Sequence, residues 1–150
     1  MDRIDQNILR LLQEDASISN SDLADKVGLA PSSCHRRVRM LRENGTITKT
    51  IALTDPEMMG RNITAIVNVV LTDHGVPQRK HWLQQLQSEQ AVSQAYTVSG
   101  EFDAVFILSL SSMAEYQELS EKLFSSDENV QRFSTMFVLK QHKFDQSHPC

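Results

Sequence analysis

The chain predicts an α+β fold in two units, an all-helical one followed by helices packed on a single sheet. Three observations predict it. Ser19 to Gly45 holds two short amphipathic helical patterns broken at Gly28-Leu29-Ala30. From Ile63 onward the apolar periodicities run in the order β-α-β-β-α-β. Between these stretches, TDPEMMGRN is rich in turn residues and sets a boundary between about Leu53 and Asn62. The expected partition is 1–53, a linker over 54–62, and 63–150.

The first helix is expected from Asp2 to about Asp15. Ile4, Ile8, Leu11 and Leu12 form its apolar stripe, and Asp2 can cap it. The second runs from about Ser19 to Val27. Ser19 is a good N-cap, and the Asp22 carboxylate meets the free N–H groups of the first turn. Leu23, Ala24 and Val27 give one apolar face, and Gly28 supplies the backbone that ends the helix. The third opens at Pro31 and closes at Gly45. Cys34, Val38 and Leu41 share one face, with His35, Arg36, Arg39 and Arg42 largely outside it.

Two helices joined by a three-residue turn containing Gly are a helix-turn-helix signal. Ser32, Ser33, His35, Arg36 and Arg39 point outward, which suits a DNA major groove, where Arg forks onto guanine edges or clamps phosphate. The plainer reading is an αα-hairpin with a solvated basic face. Net charge is −4, weakly against a nucleic-acid binder, but its distribution is uneven. Ala30 to Thr50 carries Arg36, Arg37, Arg39, Arg42 and Lys49 against one acid, Glu43, whereas acids gather in AEYQELSEKLFSSDEN. That asymmetry fits a basic reading head on an acidic body. Arg37 has a second reading, as a structural partner of an acid on the first helix.

After Gly45, the alternation of Ile47, Lys49, Ile51 and Leu53 with threonines predicts a strand over 46–53, the usual place of a wing or hinge. The second unit then predicts strands at Ile63 to Thr72, Val92 to Val98, Ala104 to Leu110, and Val130 to about His142. DHGVPQ reads as a loop. Helices are expected at Gln78 to Ser88, with Trp82, Leu83 and Leu86 inward, and from the Ser112 cap through Phe124, with Tyr116, Leu119 and Leu123 inward. This is a ferredoxin-like sandwich, both helices covering one sheet face. ITAIVNVVL nonetheless sets Val67 and Val69 on one face and Ile66 and Val70 on the other. An uncovered apolar face predicts a second copy packed sheet on sheet, a homodimer at minimum. Dimerisation also supplies the two-fold symmetry that a palindromic DNA site needs.

Composition sets the remaining bounds. With 40% hydrophobic and 23% charged residues the chain is globular rather than disordered. No apolar run approaches the roughly 20 residues of a membrane span, and the acidic, amphipathic start is no signal peptide, so a cytoplasmic protein without membrane partners is the expectation. Cys34 lies on an apolar helix face and Cys150 in a polar tail; an inert buried thiol and a redox-active one both fit Cys34. No metal is expected, because His74, His81, His142 and His148 lack ligand spacing. No nucleophilic triad, phosphate loop or Cys-x-x-Cys motif is present, so no catalytic residues are assigned.

Three stretches carry a resemblance over nearly the whole chain. They are Asp2, Asp5 and Ile8-Leu9; Leu23-Ala24, Gly28-Leu29, Pro31, Cys34, Arg37, Val38, Leu41 and Gly45; and Gly100-Glu101-Phe102-Asp103 with Thr135 and Lys143 in the last strand. In this order they resemble the Lrp/AsnC family of transcription regulators. The resemblance implies an N-terminal domain that binds double-stranded DNA and a C-terminal ferredoxin-like (RAM) domain that dimerises. Tetramers or octamers are also implied, with an amino acid or related small molecule as effector and no cofactor beyond it. It points to Ser99, Gly100, Glu101, Asp103 and Thr135 for the effector, turn N–H groups meeting a carboxylate and an acid meeting an ammonium. The bare residues fit a plain hairpin turn equally well. One departure is Ala30, where the family usually has Ser or Thr; Ser32 or Ser33 could cap a later helix start instead.

Among rival readings, a sirohaem-decarboxylase-like enzyme shares the two-domain layout. It needs Arg and His clustered in the second unit to hold an anionic tetrapyrrole, and that unit is acidic here. An RNA-recognition domain shares the β-α-β-β-α-β order but needs exposed aromatics behind a basic-glycine lead, which AVFILSL lacks. A pure sensor that has lost DNA binding is opposed by the four arginines of the third helix.

Overall fold

The computed structural model describes residues 1–72 and 76–149, without the side chains of 76–79 and His81. Half of the loop expected over 73–78 lies outside the described residues, as does Cys150; the other half, 76–78, is helical, so the helix expected from Gln78 starts two residues earlier, at Val76. The chain forms two compact units, Met1–Leu53 with His142–Cys150, and Thr54–Gln141. The tail from His142 therefore belongs with the first unit, although 63–150 was expected to form the second.

The first unit is built on α1 (Arg3–Glu14), α2 (Asn20–Val27) and α3 (Pro31–Glu43). Asp2 caps α1 in a reciprocal box. Its Oδ1 accepts from the N–H groups of Ile4 and Asp5, both at 2.9 Å, while the Asp2 N–H donates to Asp5 Oδ2 at 3.2 Å. Ser19 caps α2 by accepting from the Asp22 N–H at 3.1 Å. Gly28 ends α2 at φ +70°, a left-handed conformation that a side chain would strain. Ala30 precedes α3 and offers no side-chain cap, so neither Ser32 nor Ser33 delays the helix, which starts at Pro31. Ile8, Leu23, Ala24, Cys34, Val38 and Leu41 are buried together, with Ile4, Leu11, Leu12 and Ile47 packed against them.

The strand expected over 46–53 does not form. Ile47 is drawn onto the helical core instead, and its N–H donates to the Leu41 carbonyl at 2.8 Å. Ile51 and Leu53 are left 55% and 65% exposed. Alternation supplies the pattern of a strand but not its hydrogen-bond partner, and a lone extended segment has no ladder to join.

The second unit contains β1 (Ile63–Leu71), α4 (Val76–Ser88), β2 (Val92–Thr97), β3 (Ala104–Leu110), α5 (Met113–Ser120) and β4 (Val130–Phe137), with one π-helical turn over Glu121–Ser125 after α5. All pairings are antiparallel, in the order β2-β3-β1-β4. This is the ferredoxin-like arrangement. The helix ends one turn earlier than Phe124, yet Leu123 and Phe124 stay buried because the π turn carries them inward. β4 ends at Phe137 rather than His142. The Val138 N–H still reaches the Thr64 carbonyl at 2.9 Å, but β1 begins at Ile63 and offers nothing further to pair with. Lys143 accordingly lies in the tail, not in a strand.

One sheet face carries Ala65, Val67, Val69, Ala104, Phe106, Leu108 and Leu110, all buried against Trp82, Leu86, Leu119, Leu123 and Phe124. Trp82 meets Phe106 edge-on at 5.4 Å, and its indole N–H donates to the Leu123 carbonyl at 2.9 Å. The other face carries an apolar patch among polar neighbours, with Thr64, Asn68, Ser109, Arg132 and Ser134 on the same side. Ile66 stands between Ile107 and Met136 in register, and Val105 pairs with Asn68 and Tyr96. Within one chain Met136 is 52% and Tyr96 50% exposed.

Candidate functional site

Two places gather the residues singled out by sequence, one in each unit. On α3, Cys34, Val38 and Leu41 face the core and thereby fix what faces out. The helical period then turns Ser32, His35, Arg36, Arg39 and Arg42 into solvent, with Ser33 on the flank. Arg39 forms an i,i+4 pair with Glu43, Nε to Oε1 at 2.7 Å. Both partners are well exposed, so the pair is weak and leaves the terminal nitrogens of Arg39 available. Lys49 is exposed in the segment that follows.

Arg37 departs from this set. Its Nη1 donates to Asp5 Oδ1 at 2.7 Å and to Asp2 Oδ2 at 2.8 Å. The guanidinium is thus committed to α1, with its side chain only 25% exposed. Among the eight residues assigned to DNA, Arg37 is the one that holds α3 onto α1 instead. A residue absent from that set also faces out. Met40 lies four positions after Arg36 and is 52% exposed; its apolar character hid it from a search for cations.

The second place is the hairpin between β2 and β3. The Val98 N–H donates to the Asp103 carbonyl at 3.0 Å and closes the turn, with Gly100 at φ +129°. Only glycine takes that conformation without strain. Asp103 is a structural residue here. Its N–H donates to the Val69 carbonyl at 2.9 Å, and its Oδ2 accepts from the Leu71 N–H at 2.8 Å, where the β1–β4 register shifts. The side chain thereby adds a rung to the end of the β1–β3 ladder.

The exposed acid of the turn is Glu101. Its Oε1 lies 3.5 Å from Arg132 Nη2, and the Arg132 guanidinium sits 5.7 Å over the Phe102 ring. Arg132 is the residue that sequence reading missed, because β4 read as an apolar strand with no motif around its cation. Ser99 and Gly100 are exposed beside this pair. Thr135 is not brought to the turn. It pairs with Val67 on the helix-covered face, two positions from Phe133, and accepts a hydrogen bond from Tyr116 Oη at 2.8 Å. Together the turn residues and Arg132 offer both signs of charge, free N–H groups and an aromatic face within one small surface.

Comparison with known proteins gives the following. Residues 1–48 match the profile described as winged helix-turn-helix DNA-binding, and residues 64–147 match the Lrp/AsnC ligand binding domain. The leucine-responsive regulatory protein of Rhizobium meliloti (strain 1021) is 34% identical over 95% of this chain and 92% of its own. The DNA-binding transcriptional activator DecR of Escherichia coli (strain K12) is 28% identical over 99% and 98%. Among solved structures, an AsnC family transcriptional regulator from Agrobacterium tumefaciens superposes with TM-score 0.93 at 30% identity, covering 99% of this chain and 97% of that one. A transcriptional regulator of Neisseria meningitidis, solved as its L-Met complex, superposes with TM-score 0.94 at 27% identity, covering 99% and 96%.

Proposed function

The chain belongs to the Lrp/AsnC family of transcription regulators, and on that premise we propose that an amino acid bound at the Ser99–Asp103 turn tunes its grip on DNA. The first unit is a DNA-binding helix-turn-helix and the second a ligand-binding domain. The observation that carries the effector reading is the Glu101–Arg132 pair. A free amino acid is a zwitterion about the size of that pair. Its carboxylate would replace Glu101 on the guanidinium, and its ammonium would take the Glu101 carboxylate. The pair is exposed and its atoms are 3.5 Å apart, so opening it costs little. The neisserial relative, solved with L-Met, supports an amino acid as the class of ligand.

The working form is a homodimer that buries the Ile66, Ile107 and Met136 face of the sheet against its copy. In a single chain Met136 is 52% exposed while Ile66 and Ile107 keep part of their surface open, which supports a partner of the same kind. Paired recognition helices then enter successive major grooves. The protein acts as a regulator in the cytoplasm, not as an enzyme. No described helix is long and apolar enough to cross a membrane.

The test is a gel shift on genomic fragments across a salt series, with and without a panel of free amino acids. Specific, salt-sensitive retardation that one amino acid alters in the full chain, but not in Glu101→Gln or Arg132→Ala, supports the reading. Equal modulation in those variants places the effector elsewhere. Sedimentation of Ile107→Asp against the full chain tests the dimer, which the charge on that face should dissociate.

A further inference from the structure

The chain passes between its two units twice, once after Leu53 and again at His142. The second passage ends in an anchor. Gln13 on α1 holds the backbone of His148 from both sides. Its Oε1 accepts from the His148 N–H at 2.7 Å, and its Nε2 donates to the His148 carbonyl at 3.1 Å. A primary amide clasping one residue's N–H and C=O copies a rung of an antiparallel ladder, so it fixes position as well as contact. The tail is shaped for this. Asp145 accepts from the Ser147 N–H at 2.9 Å and from its hydroxyl at 2.6 Å, turning the chain just before His148. Lys143 lies 3.8 Å from Asp145.

The clasp uses the side of α1 that points away from the core. Gln6, Arg10 and Gln13 lie roughly opposite Ile4, Ile8 and Leu11 by helical period. An open polar cleft of about 700 Å³ lies along it, lined by Gln6, Asn7, Arg10 and Lys143 among others. None of the outward residues of α3 takes part. The tail can therefore grip the reading unit without covering its DNA face.

We propose that the C-terminal tail is a strap that, with the 54–62 linker, fixes the orientation of the reading unit on the sheet unit. This rests on the dimer reading above. With one flexible tether, the two recognition helices of a dimer explore many separations. A second tether narrows that range and raises the effective concentration of the second half-site at one spacing. The strap is held by exposed hydrogen bonds that water can replace, so it opens without unfolding either unit.

The experiment compares the full chain, Gln13→Ala and a variant ending at Gln141. Each is titrated against a single half-site duplex and a series of two-half-site duplexes of varied spacing, the half-site being taken from a selection on random DNA. All three are expected to bind the single half-site equally. The full chain should favour one spacing by roughly tenfold or more, and both variants should lose most of that preference. Hydrogen exchange should find the His148 amide protected in the full chain and unprotected in Gln13→Ala. An unchanged spacing preference in both variants, or equal His148 exchange, overturns the strap. If a second half-site adds nothing for the full chain, sedimentation separates the causes. A monomer removes the dimer reading and the strap with it, whereas an intact dimer removes the strap alone.

Discussion

The Arg37 guanidinium lies 2.7 Å from the Asp5 carboxylate, an α3–α1 bridge that also takes in the N-cap residue Asp2. It joins the start of the chain to the second helix of the helix-turn-helix. Arg37→Ala removes the bridge and leaves Asp5, whose side chain is 17% exposed, without its cation. The variant should melt several degrees earlier by circular dichroism. Its folded fraction should keep the salt dependence of DNA binding, because no phosphate contact has been lost.

Arg36 and Arg39 should behave in the opposite way. Neither holds α3 to another helix, since Arg39 pairs only within α3 and Arg36 is exposed. The Arg36→Ala/Arg39→Ala double variant should keep its melting temperature and lose DNA affinity. Each lost phosphate contact lowers the slope of log affinity against log salt by about 0.9, so a drop near two per protomer is expected. A drop in affinity at an unchanged slope would move these residues from phosphate to base contacts.

The Asp2 cap makes the first unit acid-sensitive. Hydrogen bonds from the Asp5 N–H, and then from Arg37, hold its carboxyl below the ordinary 3.8. A group whose folded pKa is depressed contributes stability that is present above the unfolded value and lost as pH falls through the folded one. The stability of α1 should therefore be level down to about pH 4 and decline below it. Asp2→Asn keeps a capping oxygen without the titration, so its loss over the same interval should be smaller. Hydrogen exchange of the α1 amides between pH 5 and 2.5 measures the difference after correction for the intrinsic rates.

What the sequence made legible follows from which forces are local. Caps and stripes depend on residues three or four apart, so Asp2, Ser19, Gly28 and the Cys34-Val38-Leu41 face were readable from the string. The sheet order was readable because the β-α-β-β-α-β pattern admits few topologies. The strand expected at 46–53 failed because pairing needs a partner that no local pattern reveals. Arg37 and Arg36 are adjacent and chemically identical; the sequence offers Arg37 a second reading as partner of a first-helix acid, and the contact with the distant Asp5 is what decides for it. Arg132 escaped for the same reason, being thirty-one positions from the Glu101 it meets. The Gln13–His148 clasp spans nearly the full length of the chain, beyond any periodicity.

The core of the second unit depends on one buried hydrogen bond that an apolar substitution exposes. The Trp82 indole N–H donates to the Leu123 carbonyl at the π-helical turn, and both groups are buried. Trp82→Phe preserves much of the contact with Phe106 but leaves that carbonyl unpaired. The loss should be about 1–3 kcal/mol from the orphaned acceptor, with a further share from the smaller ring. Chemical denaturation followed by circular dichroism measures it. A Trp82→Phe variant as stable as the parent would mean that the π turn closes on another donor.

Ala30 is the weakest helix start in the first unit and the simplest to improve. Its backbone already has the extended conformation of a cap, φ −65° and ψ 144°, and its carbonyl accepts from the Cys34 N–H at 3.0 Å. Only the side-chain oxygen is missing. Asp2 and Ser19 supply one at the two preceding helices. Ala30→Ser should place a hydroxyl over the free N–H groups of Ser32 and Ser33 and stabilise the unit by about 1 kcal/mol. The residue precedes the outward face of α3, so half-site DNA affinity should be unchanged. If stability rises while affinity falls, the uncapped N–H groups at the start of α3 themselves receive a DNA phosphate, and the missing cap serves binding.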